Sequence, residues 1–286
     1  MYNFPIGVIT NSFRTGPRTA IAKAAEMGAD GVQMYAAEGA CAPENMSPQQ
    51  RRELLDYIKS YGLRFSALCG DLGMGFHNKE LNPQLIERSK RILDLAKDLE
   101  TDIVTTHIGV VPEDKSIERY SIMQEACYEL AAYADSIGSH FAIETGPETS
   151  KVLKGFLDSL GSTGVAVNLD PANLVMVVGD DPVEAVHNLK DYIVHTHAKD
   201  GRRVDENQNP TEVYHAFAVG GVDALNACKG FAELPLGEGD VDWPKYLQAL
   251  QEIGYDGFLT IERECGENPV DDIEKAVEFL QNQLKQ

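Results

Sequence analysis

No stretch of this chain is apolar for long enough to cross a membrane; roughly 18 to 20 uninterrupted residues are needed, and polar side chains break every run sooner. The opening Met1-Tyr2-Asn3-Phe4-Pro5 has no basic segment leading into an apolar one, so no secretory signal is expected. Cysteine pairs are missing as well. Cys41, Cys69, Cys127, Cys228 and Cys265 are odd in number, scattered and free of any CxxC spacing. That pattern predicts free thiols in a reducing compartment, with the cytoplasm as the expected location, and excludes a disulfide frame or zinc knuckle. Positive charge is scarce: the formal net charge is −20. Such a surface is soluble and repels polyanions, which speaks against a nucleic-acid partner. Glycine-rich phosphate cradles are absent too. Thr10-Asn11-Ser12-Phe13-Arg14, after the first β-like run, is not GxGxxG, and no P-loop occurs.

What is present is a beat. Eight short β-like runs are rich in Val, Ile and aromatics: 6–10, 31–35, 64–69, 103–107, 140–144, 165–170, 192–197 and 258–262. They lack strict polar alternation, as expected of strands buried on both faces of a parallel sheet. Helical patterns lie between them, for example 49–61, 83–99, 121–137 and 244–253, and Gly28, Gly62, Gly138, Gly161 and Gly254 close helices just before strands. Asp242 before Trp243-Pro244 reads as an N-cap with proline in the first turn. Eight strand–helix alternations in 286 residues predict an α/β chain forming one (β/α)₈ TIM barrel domain over 1–286. An open doubly wound sheet is the runner-up, weakened by the missing dinucleotide fingerprint.

One segment breaks the beat. Residues 199–240, after the seventh strand, are rich in Gly, Pro and Asn and too long for a plain connection. On a barrel this loop emerges at the C-terminal face, where active sites are built, so it is read as a lid or substrate loop. A disordered or oligomer-contacting insertion is the alternative.

Four of the runs end in side chains that bind metals: Glu144, Asp170, His197 and Glu262. A strand that ends in a lone carboxylate or imidazole is costly to explain as packing. Four such ends imply a shared polar site suited to one divalent cation; Mn²⁺ is expected first, with Mg²⁺, Co²⁺ or Zn²⁺ as alternatives. Of His195 and His197, the latter is taken as the ligand, and His195 is expected to pack against the helices. His107 at the end of the fourth strand, His77 in the glycine-rich loop after the third, and Lys199 two residues past His197 are candidate substrate contacts. Lys199, Arg202 and Arg203 are too few to define a phosphate site.

These residues carry a resemblance. Ile143-Glu144-Thr145, Asn168-Leu169-Asp170-Pro171-Ala172-Asn173, His197-Ala198-Lys199-Asp200 and Thr260-Ile261-Glu262-Arg263 resemble the xylose isomerase-like TIM-barrel superfamily. The segment from Leu236-Gly237-Glu238-Gly239 through Gly254-Tyr255-Asp256-Gly257 is similar to its sugar phosphate isomerase/epimerase branch. By that resemblance Glu144 and Glu262 are both metal ligands and the acid/base pair, one on each face of the reacting carbon. His107, Asn173, Lys199, Arg203, His77 and Glu238 are then expected substrate contacts, and a homo-oligomer acting on a small carbohydrate is implied.

The chain also departs from the pattern. Ketose 3-epimerases carry a histidine where Asn173 stands and a glutamate where Ser150 stands, with Glu148 nearby, so the sugar contacts differ. Asn173 likewise replaces a zinc ligand of endonuclease IV, whose Asp-x-His loop pair is missing. The leading expectation is a sugar isomerase or epimerase working through an enediolate. A lyase or dehydratase that expels a β-substituent from a keto-inositol or 3-oxo-glycoside is the alternative, and a non-catalytic metal- or sugar-binding subunit a minor one.

Overall fold

The computed structural model describes residues 2–285, without the side chains of 217, 218, 222, 223, 225 and 226. Eight parallel strands close a barrel: β1 (Ile6–Ile9), β2 (Gly31–Tyr35), β3 (Arg64–Cys69), β4 (Ile103–Thr106), β5 (His140–Glu144), β6 (Val165–Leu169), β7 (Ile193–Ala198) and β10 (Leu259–Ile261). Strand order around the barrel follows the chain, β10 pairing with both β7 and β1. The (β/α)₈ expectation holds, and the open sheet is excluded by that closure. Helices α1 (Pro17–Glu26), α2 (Pro48–Ser60), α3 (Asn82–Asp98), α4 (Glu118–Ile137), α5 (Ser150–Leu157), the one-turn α6 (Pro171–Asn173), α7 (Pro182–Leu189) and α9 (Trp243–Glu252) lie between barrel strands, and α10 (Pro269–Leu284) follows the last of them.

Local chemistry sets these boundaries. Ser47 accepts from the Gln50 backbone while the Gln50 side chain caps Ser47 in return, and Pro48 opens α2. Asp242 caps α9 through the Lys245 N–H. Gly138 ends α4 with φ 61°, a left-handed turn that costs a side-chain-bearing residue more. The main hydrophobic core lies between the strands and this ring of helices, with Val8, Leu93, Leu130, Phe141, Leu189 and Tyr246 at or near zero exposure.

The barrel interior is different: it is polar. Gln33, Ser66, Thr105, Asn168, His195 and Thr260 are each at most 2% exposed. Thr260 Oγ1 on β10 lies 3.1 Å from Ser66 Oγ on β3, and Gln33 on β2 meets His197 on β7 at 3.2 Å. Neither strand pair is adjacent, so these contacts cross the barrel. Irregularities in the strand register fall between Val32 and Gln33 on β2, and between Val167 and Asn168 on β6. Such bulges re-aim side chains beside functional sites, and here they sit at the two amides that reach His197.

The segment after β7 is more ordered than a loop. It contains β8 (Asp200–Arg203), α8 (Pro210–Ala227) and β9 (Phe231–Leu234), with β8 and β9 paired as an antiparallel ribbon. Gly221 breaks α8 with φ 57° and ψ −148°. No helix among the described residues is long and apolar enough to cross a membrane.

Candidate active site

Glu144 is the last residue of β5, and Asp170 follows β6. His197 lies near the end of β7, and Glu262 follows β10. Parallel strands in a closed barrel point these ends at one mouth, and one ligand-type atom from each residue lies within 4.8 Å of the others. All four are buried. His197 Nδ1 stands 3.6 Å from Glu144 Oε1, 3.5 Å from Asp170 Oδ2 and 3.5 Å from Glu262 Oε2.

Each group is held by neighbours. Glu144 Oε1 accepts from Asn173 Nδ2 at 2.9 Å and Oε2 from Asn168 Nδ2 at 3.3 Å. Asp170 Oδ1 accepts the Asn173 N–H at 2.8 Å, a helix cap, while its buried Oδ2 accepts no hydrogen bond. Glu262 accepts from Lys199 Nζ at 2.9 Å, and Lys199 also pairs with Glu264. Gln33 Oε1 lies 3.2 Å from His197 Nε2. Asn168 Nδ2 lies at the same 3.2 Å from that nitrogen, so two amides hold the ring edge away from the carboxylates while Nδ1 faces them.

His195 also points inward. Its Nδ1 donates to Asn168 Oδ1 at 2.8 Å, and its Nε2 accepts from Thr260 Oγ1 at 2.9 Å. The expectation that it faces the helices is corrected: residues two apart on a strand share a face, so His195 lies beneath His197 inside the barrel. Burial pushes its pKa well below the ordinary imidazole value, which suits a neutral ring in that chain of hydrogen bonds.

Charge dominates the site. Burial alone would lower His197, yet the Glu144 and Glu262 carboxylates outweigh it and hold the imidazole well above its usual range. Burial would raise Glu262, but the Lys199 ammonium and His197 keep it below the usual carboxylate range. Asp170 is raised by its own burial. Three carboxylates and one imidazole converge around an acceptor oxygen with no donor. That donor set fits a divalent cation, which would meet the orphaned Asp170 Oδ2 and offset the clustered negative charge.

A cavity with about 820 Å³ of empty space opens over this cluster. His107, Asn173 and Lys199, expected as substrate contacts, line it. His107 Nδ1 pairs with Asp71 Oδ2 at 2.8 Å, and its Nε2 lies 3.8 Å from Glu144 Oε1. Burial opposes charging of this ring, but Glu144 and the Asp71 hydrogen bond raise its pKa to about 10. His77 and Glu238 are exposed and lie outside the lining. Arg203 is also outside it. Its guanidinium donates to the backbone oxygens of Val177 (3.1 Å) and Glu206 (2.9 Å), tying β8 to the turn after α6.

The sequence reasoning missed Gln33, Asp71, Asn168, Tyr214, Glu233 and Glu264. Three of them carried a readable signal: Gln33 and Asn168 are lone amides inside apolar strands, and Asp71 follows a strand end much as Asp170 does. Tyr214 and Glu233 belong to the insertion after β7 and have no such marker.

A family model described as a xylose isomerase-like TIM barrel matches residues 21–283. The chain belongs to that family. An uncharacterised protein of Methanocaldococcus jannaschii is 23% identical over 251 residues, covering 82% of this chain and 76% of its own. An inosose dehydratase of Lacticaseibacillus casei is 28% identical over 144 residues, 49% of this chain and 45% of that protein. The match thus spans less than half of the dehydratase. Among solved structures, a xylose isomerase domain protein from Planctomyces limnophilus superposes with TM-score 0.80 at 24% identity, covering 99% and 98% of the two chains. A probable 3-DHS dehydratase from Bacillus anthracis gives 0.77 at 20% identity over 97% and 99%. A D-tagatose 3-epimerase-like protein gives 0.74 at 20% over 98% and 97%. These structural likenesses establish the fold; the similar proteins carry xylose isomerase domain, epimerase-like and dehydratase names.

Proposed function

We propose that this protein is a divalent-metal-dependent isomerase or epimerase that moves a proton on a carbon next to the carbonyl of a sugar or sugar derivative. The observation that carries the reading is the pair Glu144 and Glu262. They converge on one side of His197 from β5 and β10, strands separated by β6 and β7 around the barrel. Glu144, Asp170, His197 and Glu262 would hold the ion, which when bound polarises a carbonyl and stabilises negative charge developing on its oxygen.

The chain's own residues do the rest. Asn173 and Asn168 fix both oxygens of Glu144, so it presents a defined lone pair to a C–H bond. Lys199 keeps Glu262 ionised and oriented, ready to take or return the proton from the other side. Asn173 and His107 supply hydrogen bonds to the substrate's hydroxyl or carbonyl oxygens. The expected result of Glu144→Gln or Glu262→Gln is loss of turnover by roughly 10²–10⁴-fold. Near-normal turnover in either variant would remove the two-base mechanism.

A second reading, β-elimination from a keto-inositol or 3-oxo-glycoside, is favoured by one observation. The cavity carries two further proton-bearing groups beside the carboxylates, His107 and Lys199, either of which can face a leaving group. The dehydratase names among the relatives support the same reading. Release of water, an alcohol or a phenol during turnover would assign this class.

A further inference from the structure

The cavity has two unlike halves. Its floor is the carboxylate–imidazole cluster with Gln33, His107 and Lys199. Its outer wall is apolar and comes from outside the barrel strands: Met176 and Val177 from the turn after α6, Val213 and Tyr214 from α8, and Phe231 from β9.

That wall is a hydrophobic cluster of its own, separate from the main core. Ala172, Met176 and Phe231 form its centre, with Val177, Val213 and Cys228 packed on them. Four of these six residues face the cavity. Glu233, one strand pleat from Phe231, anchors the wall: it pairs with Arg263 at 2.7 Å and accepts the Glu264 N–H at 3.0 Å. Arg203 fastens β8 to the Val177 carbonyl on the other side. Glu233 therefore ties the wall to the segment after β10, and Arg203 ties its two parts to each other.

We infer that the substrate carries a ring-sized apolar group, an aromatic substituent, which lodges against Met176, Val213 and Phe231 while its oxygen-rich part meets the carboxylate floor. The inference rests on the proposed carbohydrate chemistry at the floor and adds the class of molecule. The physical argument is one of unmet hydrogen bonds. A bare polyol filling this space would press hydroxyls against valine, methionine and phenylalanine side chains, and each hydroxyl left without a partner weakens binding. An aromatic ring instead gains from burial, from edge or offset contact with Phe231 and Tyr214, and from the Met176 sulfur.

The test is calorimetric binding to Mn²⁺-loaded protein of methyl and phenyl β-D-glucopyranosides, and of the same pair oxidised to a ketone at carbon 3. The phenyl member of at least one pair is expected to bind about tenfold or more tightly than its methyl partner. Phe231→Ala and, separately, Val213→Asp should each shrink that ratio to about twofold while metal stoichiometry stays at the wild-type value. Equal binding within each pair, no binding by any of the four, or a ratio that survives both substitutions would overturn the inference. Deuterium exchange separates it from the reaction reading. Exchange on unsubstituted sugars with no phenyl preference sinks the apolar subsite alone. A phenyl preference with unimpaired exchange in Glu144→Gln sinks the two-base chemistry alone.

Discussion

At the scale of single residues, the site is governed by groups that position others. Gln33 holds the His197 ring from the side away from the carboxylates, and partners of that kind typically change metal affinity by roughly 10–100-fold when removed. Gln33→Leu is therefore expected to weaken metal binding by that factor, measured by chelator competition, with the barrel still folded; unchanged affinity would show that Gln33 does not orient the ring. Glu148 offers a test of pH linkage away from the ligands. It is buried with Oε2 on the Val111 N–H at 3.1 Å and Oε1 unpartnered, and burial pushes its pKa to about 8 from 4.5. The folded state thus keeps a proton that the unfolded chain releases, so this residue costs stability increasingly as pH rises from 4.5 to about 8, and fully above that. Glu148→Gln should gain stability relative to the wild type between pH 5 and pH 9, by at most a few kcal/mol at ~1.4 kcal/mol per pKa unit, read as a rise in the Tm difference. A wild-type-to-variant gap that is flat with pH would contradict this. Much of the residue-level site was legible because a carboxylate or imidazole at the end of an apolar strand is hard to explain as packing. The roles of Arg203, His77 and Glu238 were not legible: all three lie in segments whose course no strand or helix periodicity dictates.

At the scale of elements, the buried Asp200 carboxylate gathers both ends of the insertion after β7. Asp200 accepts from the backbone of Gly201 (2.8 Å), Gly237 (2.9 Å) and Val241 (3.3 Å), and from Trp243 Nε1 (2.9 Å). A side chain at Gly239 would collide with Asp200 Oδ1, its Cβ falling 2.0 Å away. Asp200→Ala strands four donors at once and is expected to cost about 2–3 kcal/mol or more, read as a fall in denaturant midpoint; a shift under about 0.5 kcal/mol would show that water replaces the carboxylate freely. Sequence foretold the eight barrel strands because their Val- and Ile-rich runs are buried on both faces. It read the insertion as a loop for physical reasons too. The β8 sequence Asp200-Gly201-Arg202-Arg203 has no hydrophobic member, and Gly220-Gly221 interrupts the helical pattern of α8.

At the scale of the whole molecule, the chain is a barrel whose helices take the hydrophobic burden and whose interior and mouth are reserved for polar chemistry. The carboxylates clustered at the strand ends would be offset by a divalent cation held among them. An ion that binds only the folded state stabilises it by about 2.7 kcal/mol at a hundred times its dissociation constant. Mn²⁺ should accordingly raise Tm in the wild type and fail to do so in His197→Ala; an equal rise in both would place the ion elsewhere. The measurement that bears most directly on the whole account follows substrate C–H hydrogens by NMR in D₂O, with metal-loaded protein and a panel of ketoses, aldoses, inososes and 3-oxo-glucosides. Deuterium entering a carbon next to the carbonyl, present with the wild type and lost in both Glu144→Gln and Glu262→Gln, is the expected result. Turnover of any of these compounds without exchange at that carbon, or exchange that persists in both variants, would contradict it.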